Sequence, residues 1–98
     1  MSTIPEKVKV AGHTYAIRLV EGEWGDHTEK HGQCDPSKLE IIVVDDVRVK
    51  ETLWHEIGHA IYYEYNIKEV KGEEAINSLY MLGIFQVLVD NTAMRKLI

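Results

Sequence analysis

The sequence predicts an α+β fold in a single domain over residues 1–98, with a small sheet followed by two helices. Short β-branched and aromatic runs occupy the first half of the chain, and such runs favour strands. Apolar residues at helical spacing occupy the second half, which indicates helices. Because the strands precede the helices instead of alternating with them, the order favours an α+β fold over a βαβ arrangement.

The predicted sheet begins with a hairpin. Val8–Val10 and Thr14–Val20 are the two strands, separated by Ala11, Gly12 and His13. Residues 21–38 are polar and contain glycines and a proline, which predicts a loop with a brief strand around His31–Cys34. The following run, Leu39–Val44, is almost continuously apolar, so we expect a strand that is buried on both faces.

Two helices follow the sheet. Asp45 or Asp46 is the expected N-cap of a helix from Val47 to about Tyr65, and Asn66 is a residue that can end it. Glycine precedes a second helix, from about Glu73 to Arg95, that is apolar almost all the way round. Such a helix must be well buried or covered by a partner, and a homo-oligomer or a second protein would both serve.

Composition excludes several classes of function. The net charge is −5 and the acidic residues are dispersed, whereas a nucleic-acid surface is normally a basic patch. No apolar run is long enough for a membrane span or a signal peptide, so we expect a cytoplasmic protein that does not enter a membrane. Cys34 is the only cysteine, so no disulfide can form within the chain.

The first helix contains the segment His55-Glu56-Ile57-Gly58-His59. Residues four apart share a helix face, so His55 and His59 can direct imidazole nitrogens at one Zn²⁺ ion. Glu56 lies about 100° around the helix, beside the ion, where it suits a general base for an attacking water. The alternative is a pair of ordinary histidines without a metal, which the interposed glutamate disfavours.

A catalytic zinc usually takes three protein ligands, so a third residue is needed. Glu73 and Glu74 begin the second helix, where a helical hairpin would bring one of them over the histidines. Their alternative role is to stabilise a helix N-terminus through the macrodipole. Periodicity does not choose between the two. If neither binds zinc, the next candidates are His27, His31 and Asp35 in the loop.

The pattern resembles the ImmA/IrrE-like zinc metallopeptidases, most closely the compact HExxH forms of bacteria and phages. Only the HExxH helix is specific. The parts that carry the resemblance are Gly12–Tyr15, Gly32-Gln33, Ile41–Val44, Thr52–Ile61, Glu73-Glu74, Gln86–Leu88 and Asp90-Asn91.

The resemblance implies a minimal, gluzincin-like zincin domain with Zn²⁺ as cofactor and a glutamate from the second helix as third ligand. Compact relatives favour Glu74 and often carry another acidic residue where this chain has Ser78. Aligning the E-x-x-A-N phrase of larger relatives would favour Glu73. The implied activity is metalloendopeptidase cleavage of a protein or peptide, such as a repressor-like regulator. The alternative is a non-catalytic zinc-binding module that acts as a binding or regulatory subunit.

If the Ile41–Val44 strand lies at the sheet edge, it offers a route to a peptide substrate. An extended peptide could then pair with it as an added strand beside the active-site helix.

Overall fold

The computed structural model describes residues 4–21 and 31–98. It confirms the α+β class, with a small mixed sheet of four strands followed by helices. The strands are β1 (Lys7–Val10), β2 (His13–Val20), β3 (Gly32–Asp35) and β4 (Glu40–Val44). The helices are α1 (Val49–Glu64), α2 (Glu73–Asp90) and the short α3 (Thr92–Arg95), with 3₁₀ turns at Pro36–Lys38 and Ile67–Glu69.

The strand order is β1-β2-β4-β3. Strands β1 and β2 form the expected antiparallel hairpin, whose two-residue turn has positive φ at Ala11 and Gly12, as a type I′ turn requires. Strand β4 pairs in parallel with β2 on one side and antiparallel with β3 on the other. The condition for peptide pairing along Ile41–Val44, a position at the sheet edge, is therefore not met, because both sides of β4 are paired.

The core lies between the sheet and α1. Ile41, Ile42, Val43 and Val44 are all buried, which confirms the prediction for that strand. The helix contributes a buried face at Leu53, Ile57, Ala60 and Ile61, which are spaced for one side of a helix.

The first helix begins two residues later than the sequence predicts, at Val49. The Asp46 side chain and main chain accept hydrogen bonds from the Arg48 and Val49 amides, at 2.8 and 3.2 Å. This turn places Val47 outside the helix, fully exposed. The predicted end is confirmed, because α1 stops at Glu64 and Asn66 takes a left-handed conformation with φ of 51°.

The second helix ends at Asp90, five residues before the predicted end at Arg95. Asn91 leaves the helical conformation (φ −132°, ψ 89°) because its side chain is bound to β1. Its amide donates to the carbonyls of Lys9 and Val87, both at 2.8 Å, and its Oδ1 accepts from the Lys9 amide at 2.8 Å. These bonds fix the end of α2 against the first strand.

Burial of the second helix is partial. Gly83 and Val87 are the only buried residues of α2. Four large apolar residues of this helix are mostly exposed: Met81, Leu82, Phe85 and Val89. None of the helices in the described ranges combines the length and apolar character needed to cross a bilayer.

Candidate metal centre

His55 and His59 lie on the exposed side of α1, one turn apart. Their Nε2 atoms are 3.2 Å apart, and the two rings meet edge to face with centroids 4.8 Å apart. Without a metal, this contact is a hydrogen bond between one protonated and one unprotonated imidazole nitrogen.

The same separation fits a zinc ion. Two Nε2 atoms 3.2 Å apart, each about 2.0–2.1 Å from a shared ion, subtend an angle of roughly 100–106° at that ion. This is close to the tetrahedral value that zinc prefers. The two ring nitrogens therefore already lie close enough together to share one ion.

Glu56 completes the group. It is only 6% exposed, the one buried charged residue in the described ranges. Ligand atoms of His55, Glu56 and His59 all lie within 4.8 Å of one another, so the three residues could hold a metal ion. Because Glu56 faces the sheet while the histidines face solvent, its carboxyl group reaches the site from the protein side.

Strand β3 approaches α1 closely at Gly32. A Cβ at this position would lie 2.7 Å from Thr52 Cγ2, 3.0 Å from the Ile42 carbonyl oxygen and 3.1 Å from Glu56 Cγ. These distances are below ordinary van der Waals contact. Only glycine lets the strand pass this near to the helix, and the result is a strand directly beside Glu56 that forms the edge of the sheet in the described part of the chain.

An open groove of about 880 Å³ runs along the site. It extends from the His55, Glu56 and His59 group toward the C-terminal end of α1. The remaining lining residues come from β3 and its turn, from the second half of α1 and from the turn after it: Gly32, Cys34, Pro36, Tyr62, Tyr63, Glu64, Asn66 and Lys68. A second cavity of about 380 Å³ adjoins the other side of His55 and Glu56, with Arg48 and Glu51 in its lining.

Glu64, at the end of α1, was not singled out by sequence reasoning. Its carboxylate accepts from the Tyr15 hydroxyl at 2.6 Å and lies 2.9 Å from His13 Nδ1. Burial, and then the hydrogen bond to the Glu64 carboxylate, raise the pKa of Tyr15 above its usual value. His13 and Tyr15 belong to the first hairpin, so this cluster ties the hairpin to α1.

Cys34 faces the same groove and is half-buried. Burial, followed by the negative charges of Glu56, Asp35 and Glu64, raises the pKa of the Cys34 thiol to about 12. The thiol is therefore protonated at neutral pH, and only the thiolate is a good zinc ligand or nucleophile.

Gly58 makes room for a side chain from α2. A Cβ at this position would lie 2.5 Å from the Tyr80 hydroxyl oxygen, and the Tyr80 ring also contacts Tyr62 edge to face. The Tyr80 side chain therefore occupies the space that a larger residue at position 58 would need. Tyr62 and Tyr63 line the groove.

The two candidate third ligands are not beside the histidines. Glu73 and Glu74 are both exposed in the first turn of α2, and the metal-competent group found among the described residues does not include them. The contact of α2 with α1 at Gly58 is made by Tyr80. Tyr80 lies seven residues after Glu73, which is about 10 Å along the helix axis. Zinc binding by either glutamate stays a prediction.

The loop candidates are placed as follows. His27 lies outside the described residues. His31 Nδ1 is 3.1 Å from an Asp46 carboxylate oxygen, and Asp35 accepts from the Ser37 hydroxyl at 2.6 Å. This hydrogen bond is the main cause of the lowered pKa of Asp35. Neither residue belongs to the group around His55.

Comparisons with protein-family models, with curated proteins and with solved structures find no match to this chain.

Proposed function

We propose that this protein is a zinc-dependent metallopeptidase with a minimal zincin-like fold that hydrolyses a peptide bond in a protein substrate. The observation that carries the proposal is the pair of Nε2 atoms 3.2 Å apart, with the buried Glu56 carboxyl group beside them. His55 and His59 hold the ion, and a glutamate of α2, Glu74 before Glu73, is the proposed third ligand.

Zinc, when bound, polarises the scissile carbonyl and lowers the pKa of water to about 7. Glu56 is the general base that takes a proton from the attacking water and later donates it to the leaving amine. Its position one residue after His55 would leave the carboxylate beside the two ligand histidines, free to act as the base. Burial suits this role because it limits the number of orientations that the carboxylate can adopt.

The substrate is proposed to bind as an added strand along β3. Among the described residues β3 pairs only with β4. The His31 carbonyl accepts from the Val44 amide at 2.8 Å, and inward and outward pairing alternate along an antiparallel strand. Gly32 and Cys34 therefore direct their backbone N–H and C=O groups away from β4, at the rim of the groove. An extended peptide binding there would pass over the histidines.

A regulatory target is favoured over general digestion. The chain has 98 residues, and the groove is open, so part of the recognition would come from the substrate protein itself. We propose a repressor-like protein of a bacterium or phage as the target, on the strength of the family resemblance.

The test compares the wild-type protein with Glu56→Gln, each co-expressed with candidate repressor-like proteins, and identifies fragments by mass spectrometry. Glu56→Gln keeps size and shape but cannot accept the proton, so cleavage should fall by about 10²–10⁴-fold. Glu6→Gln is the matched control, because Glu6 is an exposed glutamate that lines neither cavity. Equal fragment yields from wild type and Glu56→Gln would show that Glu56 is not the base.

A second candidate function is a non-catalytic zinc-binding module that acts as a binding or regulatory subunit. Two observations favour it: the group around His55 contains no third ligand besides Glu56 among the described residues, and α2 exposes a large apolar face. Under this alternative, a partner would bind wild type and Glu56→Gln equally tightly and would be cut by neither.

A further inference from the structure

One face of α2 carries four large apolar residues that are mostly exposed, hereafter the α2 stripe. The exposed fractions are 59% for Met81, 53% for Leu82, 65% for Phe85 and 51% for Val89. Their spacing places them on one side of the helix. The opposite side packs on the domain, with Val87 fully buried and Gly83 against Ile61.

We propose that the α2 stripe binds the same stripe of a second copy of this chain, with the two helices antiparallel. The exposed parts of these four side chains amount to on the order of 400 Å², since large apolar side chains offer roughly 150–250 Å² each. Two copies would bury on the order of 800 Å² from these residues alone, and the flanking polar surface adds to it. This approaches the roughly 1,200 Å² at the lower end of specific interfaces.

The stripe is self-complementary about its centre. Met81 and Val89 lie four residues on either side of Phe85, which is about 6 Å along the helix axis in each direction. A two-fold axis through Phe85 therefore places Phe85 against its own copy and Met81 against the partner's Val89. A two-fold dimer requires an isologous patch of this kind.

Charge favours the antiparallel orientation over the parallel one. Glu73 and Glu74 form the first turn of α2. At the other end, the Arg95 guanidinium group donates to the carbonyls of Leu88 and Val89, at 2.7 and 3.2 Å. An antiparallel pair brings the acidic first turn of each helix toward the basic end of its partner. A parallel pair would bring four glutamates together, and like charges in proximity are unfavourable.

Interfaces at the small end of the size range are typical of weak, transient association, so we expect a reversible dimer with a dissociation constant of about 1–100 µM. Sedimentation velocity over about 1–500 µM should show a monomer–dimer equilibrium in this range. Val89→Lys should raise the dissociation constant at least about tenfold, because it places a charge in the apolar contact between residue 89 and Met81 of the second copy. Lysine suits the C-terminal turn of a helix, so the substitution should not unfold α2, and circular dichroism checks this.

Val47→Lys is the matched control, because Val47 is a fully exposed valine away from the stripe; it should dimerise like wild type. If Val89→Lys proves unstable, Phe85→Lys is the second disrupting variant. It should raise the dissociation constant of the dimer in the same way. A protein that stays monomeric across the range overturns the proposal. Binding of such a monomer to phosphatidylcholine vesicles would assign the stripe to lipid instead.

Orientation is tested by disulfide cross-linking in a Cys34→Ser background. Phe85→Cys lies on the proposed axis and should form a covalent dimer on oxidation. Glu74→Cys should not, because eleven residues separate it from Phe85 and the two copies of residue 74 would be about 33 Å apart. A parallel pair would cross-link through both positions, so a Glu74→Cys dimer would overturn the antiparallel arrangement.

Discussion

Gly32→Ala tests the close approach of β3 to α1 on which the site depends. The added Cβ would lie 2.7 Å from Thr52 Cγ2 and 3.0 Å from the Ile42 carbonyl oxygen, against about 3.5–4.0 Å for an ordinary carbon contact. The carbonyl belongs to the neighbouring strand and cannot rotate away. The strand must therefore move outward, or α1 must move from the sheet.

The expected cost follows from two opposing effects. Overpacking of this kind costs about 1–3 kcal/mol, while replacing a strand glycine with alanine recovers roughly 0.5–1 kcal/mol of backbone entropy. The free energy of unfolding should fall by about 1–2 kcal/mol. Since the Cβ would also lie 3.1 Å from Glu56 Cγ, hydrolysis should decrease while zinc stays bound.

Urea unfolding followed by circular dichroism measures this cost, and Thr52→Ser supplies the second arm of a double-mutant cycle. Serine lacks the methyl group that the Cβ of residue 32 would meet, so Gly32→Ala should be less destabilising in a Thr52→Ser background, by about 0.5–1 kcal/mol. Strictly additive effects, or a Gly32→Ala protein as stable as wild type, would refute the close approach.

Three further predictions concern residues around the groove. Glu64→Ala should lower the free energy of unfolding by about 2–4 kcal/mol, because the buried Tyr15 hydroxyl loses its acceptor. If Tyr15→Phe lowers the free energy of unfolding as much in the Glu64→Ala background as in wild type, the two residues are not coupled. In the metal-free protein at pH 8, iodoacetamide should alkylate Cys34 roughly a thousandfold more slowly than in urea, since its pKa is about 12. Comparable rates would contradict the raised pKa. In chelator competition, Glu74→Ala should weaken zinc binding more than Glu73→Ala, and the reverse order would identify Glu73 as the ligand.

Local patterns predicted much of the fold. The hairpin, the buried strand up to Val44, the helix containing His55 and the stop at Asn66 all follow from spacing and turn chemistry within a few residues. The early end of α2 could not be predicted from local patterns, because Asn91 ends the helix through hydrogen bonds to Lys9, 82 residues away in the chain. Asn91 is itself a residue that can end a helix, but the apolar pattern continues past it, and only the contact with β1 identifies it as the end.

The candidate site was likewise predictable only in part. His55, Glu56 and His59 were predictable because three residues on one helix fix their own geometry. The pairing of strands across the sheet was not predictable, since nothing in the pattern of residues 39–44 distinguishes a central strand from an edge strand. Within residues 4–21 and 31–98, β3 is the edge strand beside α1. Glu64 was missed for a related reason: its partners Tyr15 and His13 lie about 50 residues away.

Zinc titration against a competing chelator tests the central claim most directly. We expect wild type to bind one zinc per chain, Glu56→Gln to bind it with an affinity within a few-fold, and His59→Ala to lose more than about 100-fold, because a direct ligand should matter at least as much as an outer-shell partner. Wild type that binds no zinc, or His59→Ala that binds it as tightly as wild type, would contradict the assignment of His55 and His59 as metal ligands.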